Sequence, residues 1–242
     1  MTIVSSRPLA LVLTLALWWA SPSIAGHSVL IWPVDPVIIA SRPATELWVE
    51  NRGENTTLLQ IRIFAWRQTE GAEHYQTQQH IQPTPAMVRL EAGHKQVIRL
   101  FKQIPPLDGR EEAYRVLIDE IPLPRHPADP ARHMLDFQMR YSIPLFVYGP
   151  QSSPEAGDPR LSWRLGSHNG KAYLEIANRG PIHARLSKAR LGRHQLTDGL
   201  LGYVLAHSSR RWPLSVNASP RTPLEIRIDN RALFWRGVAE SG

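Results

Sequence analysis

The chain has 242 residues, a formal net charge of +7 and no cysteine. That length suffices for one large or two ordinary domains, and the missing cysteine excludes disulfides, thiol nucleophiles and thiolate metal sites, so the fold rests on packing alone. The basic residues are spread along the chain with no cluster interleaved with aromatic platforms, which argues against a nucleic-acid partner.

At the N-terminus, Arg7, the apolar run Leu9 to Ala20 and the small-x-small end Ser23-Ile24-Ala25 read as a secretory signal peptide over residues 1–25. The apolar run is shorter than the ~20 residues a membrane-spanning helix needs. An exported chain starting near Gly26 is expected. Beyond it, 21 prolines punctuate short β-branched and aromatic runs, an all-β pattern. Candidate strands are Val29–Trp32, Val37–Ile39, Thr45–Asn51, Leu58–Gln68, Met87–Leu90, Lys95–Phe101, Glu112–Ile121 and Leu135–Val147. Short strands with turn signals at this spacing imply an immunoglobulin-like sandwich over residues 26–149. Between the last two candidates, Pro122 to Met134 forms a proline-rich loop too long for a tight hairpin.

The segment Leu135, Phe137, Met139, Tyr141, Ile143, Leu145, Val147 is apolar at every second position. Strict alternation is the period of a strand with one packed face, and this run is about twice the usual ~5–6 residues. A long apolar strand at a sheet edge templates pairing with other chains. Either the strand is central or pairing with another chain is its purpose. The turn-rich residues 150–159 then read as a linker. Residues 160–242 form a second, smaller β-sandwich domain, with candidate strands Leu161–Leu165, Ala172–Ala177, Ala184–Leu191, Gly202–Leu205, Trp212–Val216, Leu224–Ile228 and Ala232–Val238. The two domains share a weak echo: Leu47-Trp48-Val49-Glu50-Asn51-Arg52-Gly53 against Leu174-Glu175-Ile176-Ala177-Asn178-Arg179-Gly180.

The ten histidines show no His-x-x-x-His or comparable spacing, so no metal site is expected. A Gly-x-Ser-x-Gly elbow and a Gly-rich phosphate loop are also missing. No catalytic residue, cofactor or small-molecule substrate is therefore assigned, and the chain is read as a non-enzyme. Two strand arginines stand out, Arg115 and Arg140. Each is either part of a solvated face, with Arg115 paired to Asp119 or a neighbouring strand, or a cleft residue presenting its planar fork to a carboxylate.

Three stretches resemble the PapD-like periplasmic chaperones of chaperone–usher pili. Leu90-Glu91-Ala92-Gly93-His94-Lys95-Gln96-Val97-Ile98-Arg99-Leu100 is similar to the family's Leu-x-x-Gly hairpin, Glu111 to Pro122 to its sixth strand, and Arg140 to Tyr148 to its seventh. Leu30-Ile31-Trp32-Pro33 together with Phe137 to Pro144 resembles the archaic branch, whose clients are spore-coat-protein-U-like pilins. The resemblance implies an all-β fold of two immunoglobulin-like β-sandwich domains in a boomerang arrangement, working in the periplasm. It implies capture of incomplete pilin subunits by donor-strand complementation and their delivery to an outer-membrane usher, with a possible self-dimer when free. Leu135, Phe137, Met139 and Tyr141 become the pilin-binding donor residues, and Ile143 and Leu145 core members. The family's usual basic anchors fall near Pro36 or Val37 and at Pro144, which carry no charge, so Arg115 and Arg140 become the expected anchor for the pilin's terminal carboxylate. The alternative is an exported structural or adhesive surface module that self-assembles through the same long strand.

Overall fold

The computed structural model describes residues 29–121, 138–216 and 218–239. In chain order the strands of the first part are β1 (Val29–Trp32), β2 (Val37–Ile38), β3 (Ala44–Asn51), β4 (Thr57–Thr69), β5 (Ala72–Thr77), β6 (Ile81–Thr84), β7 (Met87–Leu90), β8 (Lys95–Lys102), β9 (Glu111–Ile121) and β10 (Arg140–Tyr148). Those of the second part are β11 (Leu161–His168), β12 (Lys171–Asn178), β13 (Ala184–Leu191), β14 (His194–Gln195), β15 (Leu200–Val204), β16 (Ser208–Pro213), β17 (Leu224–Ile228) and β18 (Leu233–Gly237). One 3-10 turn, Asp229–Arg231, separates the last two strands.

The first part packs a β1-β3-β8-β6 sheet against a β2-β10-β9-β4-β5 sheet that also takes β7 beside β4. Alternation in the sequence supplies the core. Leu47 and Val49 of β3, Ile98 and Leu100 of β8, Leu59, Ile61 and Ile63 of β4, Val116 and Ile118 of β9, and Ile143, Leu145 and Val147 of β10 form one buried cluster. The second part packs β11-β12-β16 against β14-β13-β17-β18, with β15 beside β13, over Trp163, Leu174, Ile176, Leu186, Val204 and Ile226.

The sequence echo is a shared structural device. Asn51 and Asn178 each end a strand, are essentially fully buried, and accept the amide of Gly53 or Gly180 two residues on. Each side-chain amide then donates to a carbonyl four residues on and to the end of a distant strand: Asn55 and Leu90 for Asn51, and Ile182, Val204 and Leu205 for Asn178. A buried amide is held only where it finds such partners.

Three strands were not expected from the sequence: the two-residue β14, and β5 and β6. The strand β5 is polar throughout and exposed at most positions, and β6 contains Pro83, so neither shows the apolar period that marks a strand. The strand β16, Ser208–Pro213, starts four residues earlier than its expected counterpart Trp212–Val216, because its first residues are polar and charged.

Candidate functional site

The site begins with the hydrogen-bonding parity of β10. On one side β10 pairs antiparallel with β9 along its whole length; on the other it meets β2 only at Phe146 and Val147, in parallel. The carbonyl of Met139 accepts the amide of Glu120 on the β9 side, whereas the amide of Phe146 donates to Pro36 on the β2 side. Since amides and carbonyls alternate sides along a strand, odd positions serve the ladder to β9 and even positions face the other edge. Arg140, Ser142 and Pro144 therefore present backbone groups to an edge that, among the described residues, no strand covers. Pro144 fits this assignment, because a proline inside a sheet is tolerated where its missing N–H faces away from the ladder.

Side chains alternate in the same way, across the two faces. Ile143, Leu145 and Val147 are buried in the first core, as expected for Ile143 and Leu145. Tyr141 packs partly against that core and donates its hydroxyl to Glu120 at 3.1 Å; burial, then the Glu120 charge, push its pKa up to about 12. Tyr141 is thus already anchored within the chain. Met139 is half-buried just before the strand begins. Leu135 and Phe137 lie outside the described residues, as does the part of the expected Leu135–Val147 strand before Gln138.

The even face of β10 continues onto β9 and β4, and carries both singled-out arginines. Arg115 pairs across the ladder with Pro144, and Arg140 with Asp119. They stand four ladder steps apart, about 13 Å at ~3.3 Å per residue, and are held by different partners, Arg140 on Asp119 and Arg115 over Trp66. Asp119 is almost buried and accepts hydrogen bonds from Arg140 and, at 2.6 Å, from Arg62. Burial works to raise the pKa of Asp119, but the two guanidinium bonds outweigh it and hold the carboxyl below its ordinary value. The expected Arg115–Asp119 pairing does not form.

Arg115 instead lies flat over Trp66, 3.8 Å from the ring centroid, with Tyr203 at 5.5 Å. Burial pulls its pKa down, with the hydroxyl-bearing rings of Tyr75 and Tyr203 working in the other direction. Its Nε is buried and has no hydrogen-bond partner among the described residues. A half-buried guanidinium seated on an aromatic ring suits an incoming anion.

Tyr203 belongs to the second domain, so the floor of this site is a seam between domains. Trp66, Phe146 and Tyr148 of the first meet Ile182, Tyr203 and Leu205 of the second in one buried cluster. The His183 ring stacks on Phe146 with 3.4 Å between centroids. The Glu111 carboxylate, 1% exposed, accepts the His183 amide at 2.9 Å and the Tyr148 hydroxyl at 2.7 Å, and faces His183 Nδ1 at 2.9 Å. Gln68 donates to the Tyr203 carbonyl and accepts the Leu205 amide, both at 2.9 Å. The sequence reading singled out none of these as site residues. Its available signal was Phe146, an apolar residue on the otherwise polar parity of the long strand, with Tyr148 two positions on.

Two sandwiches joined at a buried seam, with one strand edge that no strand covers among the described residues, make an immunoglobulin-like architecture suited to strand addition. Residues 36–153 match the family described as pili and flagellar-assembly chaperone, PapD N-terminal domain, so the first sandwich of the chain is a PapD-like chaperone domain. Among solved structures, the chaperone of the CsuC–CsuE chaperone–tip adhesion subunit complex, from archaic chaperone–usher Csu pili of Acinetobacter baumannii, is 29% identical with a TM-score of 0.75, over 89% of this chain and all of that one. The SafB chaperone in complex with the SafA pilin of Salmonella enterica (18% identity, TM-score 0.64, 87% of this chain and 96% of that one) and the E. coli chaperone DraB (18%, 0.60, 88% and 98%) share the fold. No curated protein sequence matches the chain.

Proposed function

We propose that this chaperone works in the periplasm, that its clients are pilin subunits of the spore-coat-protein-U-like kind, and that it delivers them to an outer-membrane usher. The open edge of β10 carries the reading. A client strand adds along Arg140, Ser142 and Pro144, taking main-chain hydrogen bonds for affinity, while Met139 and the preceding Phe137 and Leu135 fill pockets in the client's unfinished core. Tyr141 braces the donor strand from within the chaperone. Each apolar side chain so buried contributes on the order of 1.5–3 kcal/mol before ordering costs.

The client's terminal carboxylate is received by Arg115 in the cleft, where the guanidinium rests on a fixed aromatic floor. Arg140, held on Asp119, supports the far end of the strand. Support for the archaic assignment comes from the higher identity and TM-score of the Csu chaperone relative to the other two neighbours. The test is periplasmic co-expression with the small secreted proteins encoded nearby, followed by pull-down and mass spectrometry. A one-to-one complex with a protein that otherwise aggregates supports the reading; polymers of the chain itself, with no client, overturn it.

A further inference from the structure

The second domain has an open edge of its own. The strand β18 pairs with β17 and ends its sheet, and no strand covers its outer side among the described residues. Successive strand residues point to opposite faces, and here both neighbours are exposed: Leu233 by 53% and Phe234 by 65%. Two apolar side chains thus stand at an edge that no strand takes up among the described residues, with only the Gly237 carbonyl engaged, by the Trp163 indole N–H at 3.1 Å; natural sheets ordinarily blunt such an edge.

The sheet face beside this edge is cationic. Arg190, Glu225 and Arg236 form one rung across β13, β17 and β18, with Glu225 between the two arginines. Past the end of β17, Asp229 takes Arg227 at 3.2 Å and Arg185 at 3.8 Å, as well as the Ser187 hydroxyl at 2.7 Å. Four guanidiniums share three carboxylates, since Arg185 also reaches Asp35 at 3.5 Å. Each guanidinium carries five N–H donors, more in total than three carboxylates accept. Arg227 also lies 5.9 Å from the Phe234 ring, joining the aromatic to the charged patch.

We propose that the β18 edge docks an acidic, extended segment of a partner protein by strand addition, separately from client capture at β10. The partner's main chain pairs with β18, its apolar residues cover Leu233 and Phe234, and its carboxylates meet Arg236, Arg190 and Arg227. A second copy of the chain is disfavoured, because pairing two β18 edges brings like-charged faces together. An anionic lipid surface satisfies the arginines but leaves the strand's amides and carbonyls without partners.

The experiment follows backbone amide shifts of Leu233–Gly237 in the mature chain during titration with an alternating Glu/Val peptide, its Lys/Val counterpart, and phosphatidylglycerol vesicles. The expected result is saturable, salt-sensitive binding of the Glu/Val peptide alone, weakened at least tenfold by Arg236→Glu and unchanged by Arg52→Glu on the first domain. Melting curves establish that the variants are folded. Phe234→Ser, which leaves the charges in place, gives an independent loss of several-fold. Absence of Glu/Val binding, equal binding of the Lys/Val peptide, binding of vesicles only, or an unaffected Arg236→Glu protein overturns the proposal. Client pull-down by Arg236→Glu stays intact if the two edges act separately, and its loss refutes that separation.

Discussion

Replacing Ser142 by proline tests the parity of β10 directly. The Ser142 amide faces the open edge, its neighbour Tyr141 is already extended as a residue before proline requires, and Pro144 two positions on shows that the ring is accepted on this parity. The ladder to β9 is untouched, so the melting temperature should stay close to that of the wild type. A client strand, however, loses one main-chain donor. The missing bond costs about 0.5–1.5 kcal/mol, and a client carbonyl left buried without a donor costs about 1–3 kcal/mol. At 1.4 kcal/mol per tenfold, client affinity should fall by roughly 5- to 100-fold, read by calorimetry or competition with the client recovered by co-expression. Ile143→Pro is the counterpart, because its amide lies in the β9 ladder and its side chain in the core, and it should destabilise the first domain outright. If Ser142→Pro lowers the melting temperature as much as Ile143→Pro, the parity is wrong. An unchanged client affinity in a folded Ser142→Pro protein refutes strand addition at this edge.

Other substitutions separate capture from folding. Met139→Asp should leave the chaperone folded and abolish client capture in pull-downs, and retained capture would remove Met139 from the donor set. Arg115→Ala should weaken client binding at least tenfold while lowering the melting temperature by only a few degrees, and equal affinity would sink the carboxylate assignment. Asn178→Ala removes three donated and two accepted contacts from a buried site, and at ~1 kcal/mol per bond it should cost about 3 kcal/mol or more in denaturant unfolding; a loss below about 1 kcal/mol contradicts the locking role. Asp119 has a depressed carboxyl pKa in the folded state, so its contribution to stability is present above the unfolded value near ~4 and is lost as pH falls through the folded value. The stability gap between wild type and Asp119→Asn should therefore close in strong acid, and a gap that persists there would contradict the linkage.

Much of the fold was legible because the core strands alternate. The period-two runs of β3, β4, β8, β9 and β10 place Leu47, Ile61, Ile98, Val116 and Leu145 inward, as the pattern requires. Pattern fails where burial comes from elsewhere: β5 owes its place to pairing with β4 rather than to an apolar face of its own. The arginines show the limit more sharply. Sequence singled out Arg115 and Arg140 as strand arginines, but nothing local revealed that Asp119 would be taken by Arg62 from β4, or that Trp66 and Tyr203 would receive Arg115. Those partners lie on other strands, one of them in the other domain, so only the assembled sheets bring them together. Phe146 was the readable exception, since an apolar residue on a polar parity calls for a second covering surface.

The domain seam bears on how a client leaves. Gln68, Glu111 and the Phe146–His183 stack tie the two sandwiches through buried hydrogen bonds and ring packing, contacts that have to be broken together before the corner can flex. A guest therefore meets a mould already set, and little conformational freedom is surrendered when it docks. On the proposed strand-addition reading, a rival strand that takes over the client's groove rung by rung needs no opening of this seam, and the speed of hand-over then belongs to the incoming strand.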